Sequence, residues 1–185
     1  MSYPTGLEWT DATWNPIGGC SIASTGCKYC YAQQLAGTQQ TSHRIAMYEG
    51  TTHWVRGRPI FNGKLTVAPP GDDIWMWPLN WRGAQHPRMG AGKRSLIFLG
   101  DMADLFHENR PTAHINLAVG TLAASPHIGQ LVTKRADVMA AYFDAVRSPR
   151  TLRRWQAKLW LGFSAERQQE FDLRWPPMRP VRGGC

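Results

Sequence analysis

Ser95-Leu96-Ile97-Phe98-Leu99-Gly100 is the stretch from which the architecture of this chain is best inferred. It is a short, continuous apolar run, which is typical of a parallel strand buried on both faces. Residues 130–133 and 158–163 form similar runs. The three runs begin near residues 95, 130 and 158, and this spacing is typical of successive β-α units.

Helical patterns follow each of these runs, at residues 111–124, 137–146 and 166–173. Strands that alternate with helices predict a parallel sheet with right-handed crossovers. A strand near residues 12–15 and a helix from 28 to about 34, ended by Gly37, add one more unit near the N-terminus. The sequence therefore predicts an α/β fold of about four β-α units, which either closes toward a barrel or stays open.

Residues 38–92 interrupt this pattern. They are rich in glycine and proline, and they predict a long irregular insertion with a short strand near 64–67 and a helical turn near 74–79. A connection of this length is unusual in a compact domain and is often functional. The sequence allows three roles for this insertion: a lid, a surface that binds a partner, or a simple elaboration of the fold.

Three of the four cysteines lie close together, as Cys20, Cys27 and Cys30, in the spacing C-x6-C-x2-C. The fourth, Cys185, is the last residue. Three clustered thiols cannot all pair with one another, so a disulfide framework is a poor interpretation. Thiolates gathered on one short loop suit a soft metal ion or an iron–sulfur cluster.

Two kinds of metal centre compete for these cysteines. Three protein ligands leave one iron of a four-iron cluster open to a small molecule, which is a catalytic arrangement. Structural zinc prefers four protein ligands, which His43 or Cys185 would have to complete. Three thiols without any metal are the remaining alternative.

Several segments resemble a known family. The segment Cys27-Lys28-Tyr29-Cys30 resembles the end of the radical S-adenosylmethionine (SAM) motif, although six residues rather than the usual three separate its first two cysteines. Four longer segments resemble the phage and prophage three-cysteine-motif proteins, a radical-SAM-like family: residues 8–16, 26–32, 100–107 and 131–135.

The resemblance implies a partial (βα) barrel of radical SAM type, in which six units are usual. A single domain over 1–185, incomplete at its C-terminus, is therefore expected. It also implies that the three cysteines hold a 4Fe–4S cluster, that SAM binds the fourth iron, and that Tyr29 lies against the adenine. Reduction by a flavodoxin or ferredoxin would then cleave SAM to a 5′-deoxyadenosyl radical.

Polar residues follow the three clear strands at the points where these strands end. The carboxyl ends of parallel strands meet at one edge of a sheet, where ligands bind. The alternative is that these polar residues cap helices, belong to loops or carry charge exposed to solvent. We assign cofactor contacts to Asp101 and Ser164, beside Tyr29, and substrate contacts to Asp104, Lys134, Arg135 and Glu166.

Composition narrows the class of protein. Apolar residues make up 43% and charged residues 18%, which is typical of a globular chain. The net charge of +8 and the nine tryptophans favour nucleic acid or a nucleotide as the partner. Neither a membrane span nor a signal peptide is evident, so the reducing cytoplasm, of a bacterium or a phage-infected cell, is the expected compartment.

The sequence thus supports two functional hypotheses. The first is a radical-SAM-like enzyme, or a truncated relative of one, that acts on an unknown substrate. The second is a non-enzymatic nucleic-acid-binding protein of phage origin that a zinc ion stabilises.

Overall fold

A computed structural model describes residues 1–90, 93–146 and 148–181. The strands are β1 (Ala12–Trp14), β2 (Ile17–Gly18), β3 (Thr52–Val55), β4 (Arg58–Phe61), β5 (Thr66–Val67), β6 (Leu96–Leu99), β7 (Ile128–Thr133) and β8 (Leu159–Phe163). The helices are α1 (Tyr31–Thr41), α2 (Trp77–Asn80), α3 (Thr112–Ala124), α4 (Ala136–Asp144), α5 (Pro149–Gln156) and α6 (Gln168–Met178). Short 3-10 turns lie at Thr25–Tyr29, Ala46–Tyr48 and Asp73–Trp75.

The centre of the fold is a parallel sheet of four strands, in the order β1-β6-β7-β8. All three strand pairs are parallel, and the order in space follows the order along the chain. The predicted α/β class and parallel sheet are therefore confirmed. Because right-handed crossovers are nearly universal, this strand order favours helices on one face of the sheet.

Alternate residues of the strands divide between the two faces of the sheet. The register aligns Trp14, Leu99 and Leu131, and all three belong to the main hydrophobic core. Side chains of α3 and α4, such as Leu122 and Met139, pack into the same core. The neighbouring positions of the strands point to the opposite face, where the cavity described below lies.

A smaller layer is formed by α1 and the antiparallel hairpin β3–β4. Phe61 of the hairpin is buried against Ala32 and Ala36 of α1. The prediction that Gly37 ends this helix is wrong, because α1 continues to Thr41. A Cβ at Gly37 would lie 2.4 Å from a side-chain atom of Pro59, so the glycine lets the helix and the hairpin approach closely.

Two further features differ from the sequence prediction. Helix α5 was not predicted; the Ser148 side chain caps it by accepting a hydrogen bond from the Thr151 N–H. The last predicted helix, at residues 166–173, also differs, because α6 begins at Gln168 and continues to Met178. Residues 182–185 lie outside the described ranges, so the position of Cys185 is not described.

Within the described ranges, no helix is both long enough and apolar enough to cross a membrane.

Candidate functional site at the carboxyl edge of the sheet

A cavity of about 270 Å³ opens at the carboxyl ends of β6, β7 and β8. We call it the inner cavity. Its walls include the apolar side chains of Leu7, Trp9, Phe61, Phe98 and Val132. Eight residues predicted from the sequence line it together: Cys20, Cys27, Cys30, Asp101, Asp104, Lys134, Arg135 and Ser164.

The cysteine loop follows β2 and begins at a position that only glycine can occupy. Gly19 has φ +80°, and a Cβ there would lie 2.0 Å from the Lys64 carbonyl oxygen. The loop then forms the 3-10 turn over Thr25–Tyr29, and Cys30 precedes the first residue of α1. All three cysteines of this loop line the inner cavity, although only Cys27 lies within the turn itself.

The sulfur of Cys27 has a contact within this loop, and the sulfur of Cys20 has one with a residue outside it. The Cys27 sulfur accepts a hydrogen bond from the Ala23 N–H at 3.5 Å. The Arg135 Nη1 lies 3.7 Å from the Cys20 sulfur. Burial, and secondarily the nearby Asp104 carboxylate, raises the pKa of the Cys20 thiol to about 12. Cys20 is therefore a protonated thiol at neutral pH, and a bound cation would have to displace that proton.

Arg135 is the centre of a buried polar network. Its guanidinium donates to the Asp104 carboxylate at 3.0 Å, to the Ser21 hydroxyl at 2.6 Å and to the Glu108 carboxylate. Asp104 also accepts from the Thr133 hydroxyl at 2.7 Å. These contacts satisfy both buried charges and fix the cysteine loop to the ends of β6 and β7.

Glu166 has an equivalent role at the end of β8. Its carboxylate accepts from the Gly26 N–H at 2.9 Å and from the Ser24 hydroxyl, both in the cysteine loop. It also pairs with Lys134 at 2.9 Å and Arg174 at 3.2 Å. Partial burial opposes ionisation, but the hydrogen bonds from Ser24, Lys134 and Gly26 outweigh it and hold the pKa of Glu166 well below its usual range.

Asp101 is less tightly held. Its carboxylate accepts a hydrogen bond from the Asn15 amide at 2.5 Å, while its backbone carbonyl accepts from the Tyr31 hydroxyl at 3.0 Å. Burial raises the pKa of the Asp101 carboxyl, although the hydrogen bond from Asn15 opposes that rise. Ser164, across the same cavity, uses its backbone N–H to extend the sheet toward Thr133. Asp101 and Ser164 therefore offer polar groups to a ligand at the predicted edge.

The structure places Tyr29 apart from these residues. Its side chain is 75% exposed and lines a second cavity, of about 570 Å³, on the outer side of the cysteine loop. We call this second cavity the outer groove. Cys27, Cys30 and Tyr31 line both the inner cavity and the outer groove, so the loop forms a wall between them.

His43 lies at the far end of α1 from the cysteines. The helix has eleven residues, so about 16 Å of helix separates His43 from Cys30. His43 is therefore poorly placed to complete a zinc site with the three cysteines. Among the described residues, no group of three or more His, Cys, Asp or Glu side chains is already gathered to hold a metal ion.

The donor chemistry of the loop nevertheless fits an iron–sulfur cluster. Cysteine sulfurs are the usual ligands of such clusters, and a cluster is held by sulfurs farther apart than the ligands of one ion. Three of them line one mostly apolar cavity, and the Arg135 cation beside Cys20 would offset the negative charge of thiolates. Cys20, Cys27 and Cys30 are the residues that would hold the cluster.

Sequence reasoning missed the residues that shape this loop. Arg110 is buried and donates to the Gly18 carbonyl at 3.1 Å. The His107 Nε2 lies 2.8 Å from the Ser21 hydroxyl, and Glu108 pairs with Arg135. His107 and Glu108 thus support the cysteine loop from outside it. No local sequence signal marks these contacts, because each joins segments far apart along the chain.

Comparison with known proteins gives a family but no activity. No curated protein and no solved structure matches the chain. One family model, described as "Protein of unknown function (DUF5131)", matches residues 4–183, which is nearly the whole chain. The chain therefore belongs to the DUF5131 family.

Proposed function

We propose that this chain is a radical-SAM-like iron–sulfur protein in which Cys20, Cys27 and Cys30 hold a 4Fe–4S cluster. One observation carries the proposal: three cysteines of one loop line a single cavity at the carboxyl edge of a parallel sheet. Ligand sites of parallel α/β proteins lie at this edge. When bound, such a cluster supplies the electron that cleaves SAM reductively.

The strand order supports the proposed architecture. Four parallel strands that follow one another in space as they do in the chain are the arrangement found in a partial (βα) barrel. Sheets of the doubly wound type reverse the order at a switch point. We therefore propose a partial barrel of the radical SAM type, with the inner cavity on its concave side.

Residues of the chain have separate tasks in this proposal. Asp101 and Ser164 would accept or donate hydrogen bonds to the amino, carboxylate and ribose groups of SAM. Phe98 and Val132 form an apolar wall that limits the entry of water. Arg135 would stabilise the cysteine thiolates through its contact with Cys20.

Reduction of the proposed cluster requires an electron from another protein. A flavodoxin or ferredoxin is the proposed donor, and a reducing cytoplasm is the proposed compartment.

Metal analysis after anaerobic reconstitution tests the proposal directly. We expect about four irons and four sulfides per chain, and 5′-deoxyadenosine should form when SAM and a strong reductant are added. Mass spectrometry detects that product. One zinc per chain without iron would contradict the proposal and favour the zinc-stabilised alternative.

Cysteine variants locate the cluster. Cys20→Ser, Cys27→Ser and Cys30→Ser should each lose most of the iron and all product formation. Cys185→Ser is the matched control and should retain both, since three ligands suffice. Full iron content in Cys20→Ser, or its loss in Cys185→Ser, would contradict the three-cysteine assignment.

A further inference from the structure

We propose that the outer groove binds a single-stranded nucleic acid and leads it past the cysteine loop. The statement that the strand lies beside an iron–sulfur cluster rests on the proposed function above. The binding itself does not. Four features of the groove carry the inference: its charge, its exposed aromatic ring, the conformation of its hairpin tip and its position beside the cysteines.

The charged side chains that line the outer groove are all positive. Lys28, Arg56 and Arg58 line it, and all three are exposed. Among the described residues, no carboxylate lines this groove and none of the three cations forms an ion pair. Unpaired cations that share one concave surface attract a polyanion, and a phosphate backbone supplies one negative charge per nucleotide.

Helix α1 adds to this potential. Its first residue, Tyr31, lines the groove, and the first turn of this fully described helix carries no acidic side chain. The N-terminal end of a helix is the positive end of its dipole. The same surface therefore combines three side-chain cations with a helix terminus of the same sign.

Tyr29 provides a platform for a base. Its ring is 75% exposed, and the Lys28 ammonium lies 5.3 Å from the ring centroid. Ile22 and Val55, both exposed, form apolar parts of the same groove. Stacking of bases on aromatic rings beside cations is the common mode of single-strand binding, because every base has a face that can stack.

The hairpin tip has an unusual residue at its first position. Arg56 and Gly57 connect β3 to β4 with φ of +49° and +74°. Asparagine or aspartate followed by glycine is preferred in such a turn, and arginine is costly in this conformation. Backbone strain of this kind is concentrated at functional positions. Arg56 therefore places a charge over the groove at the expense of local stability.

The outer groove also adjoins the cysteine loop. Cys27 and Cys30 line both the groove and the inner cavity, so a strand in the groove lies against the outer side of the cysteine loop. Position and chemistry together favour a nucleic acid strand as the occupant.

Fluorescence anisotropy of a labelled 12-nucleotide strand, titrated with the full chain, tests the inference. DNA and RNA strands are tested in parallel, and binding of either supports it. If three phosphates are neutralised, log K should fall against log salt with a slope of about −2, so that affinity drops roughly 20-fold between 50 and 200 mM salt. Lys28→Gln, Arg56→Asn and Arg58→Gln combined should weaken binding at least about tenfold and flatten that slope.

Matched variants distinguish binding in the outer groove from attraction of the strand to the net positive charge of the whole chain. Arg150, Arg153 and Arg154 are exposed on α5 and line no part of the groove, so their combined change to Gln removes the same charge elsewhere. We expect this control to bind nearly as tightly as the wild type. Arg56→Asn alone should remain folded, since Asn suits the turn, and should still bind more weakly. An equal loss in the groove and control triples would overturn the inference.

A third arm tests the base platform. Tyr29→Ala should weaken binding of a normal strand by about five- to a hundredfold. An abasic strand of equal length should bind weakly to the wild type and to Tyr29→Ala alike. Equal affinity for normal and abasic strands would overturn the inference. None of these titrations requires iron or SAM, so a chain that fails reconstitution can still bind the strand, and a chain that loads iron can fail to bind it.

Discussion

Glu166 illustrates how a charged residue at a strand end can serve the site without touching a ligand. Its side chain is only 21% exposed and is held by Lys134 and Arg174. It contacts the cysteine loop at Ser24 and Gly26. Its predicted contact with substrate stays a prediction, but the structure gives it a positioning role toward the loop.

The stability of the chain should depend on the ionisation of Glu166. Its folded pKa is depressed, so its contribution is fully present above the unfolded value of about 4.3 and is lost as pH falls below that value. Glu166→Gln should lower the free energy of unfolding by about 2 kcal/mol at pH 7. That difference should shrink between roughly pH 5 and pH 3, as measured by urea denaturation.

Glu49→Gln is the control for this experiment. Glu49 is exposed and forms no ion pair within the described part of the chain. The two variants should therefore differ at pH 7 and converge in acid. A constant difference between Glu166→Gln and wild type across the whole range would contradict the role assigned to Glu166.

At the scale of elements, glycine has opposite roles on α3 and on the strand that follows it. Gly120 lies within α3, and a Cβ there would meet no atom within 4 Å apart from the neighbouring backbone of its own helix. Gly129 lies on β7, and a Cβ there would come within 2.3 Å of the Leu122 side chain. The helix can thus pack closely on the sheet only because β7 has no side chain at this point.

The two glycines form a matched pair of tests. Gly120→Ala should raise the free energy of unfolding by about 0.5–1 kcal/mol, since alanine is the better helix former. Gly129→Ala should lower it by about 1–3 kcal/mol, because the added methyl overpacks the contact with Leu122. Thermal and urea unfolding measure both. A lower free energy of unfolding in Gly120→Ala would contradict the open space described around a Cβ at this position.

The sequence predicted elements where the physical signal was local. The strands β6, β7 and β8 were found because each is a continuous apolar run, as burial on both faces requires. Helix α5 was missed because arginines dominate it. The hairpin β3–β4 was missed because most of β3 is exposed and its turn lacks the usual Asn or Asp.

At the scale of the whole molecule, the predicted site residues came together for a topological reason. Parallel strands end at one edge, so the residues after β6, β7 and β8 meet there whatever their individual roles. The pairing of Arg135 with Glu108 and Ser21 could not be predicted, because it depends on long-range folding rather than on spacing.

Filling the inner cavity should stabilise the entire fold. The cysteine loop is tied to the ends of three strands through Asp104, Arg135 and Glu166, so a group bound to the loop also binds the folded sheet. The reconstituted chain should melt at least about 5 °C above the metal-free chain in anaerobic scanning fluorimetry. The same treatment should not shift the melting temperature of Cys27→Ser. Equal melting of loaded and metal-free wild type would contradict this coupling.

Trp9 lies in the wall of the inner cavity, and its ring centroid is 4.7 Å from that of Phe98. An occupant that absorbs in the near ultraviolet would sit within energy-transfer range of this indole and quench its emission. The difference in emission between wild type and Trp9→Phe would then isolate that one ring from the other eight tryptophans. The intrinsic fluorescence of Trp9 therefore reports whether the inner cavity is occupied.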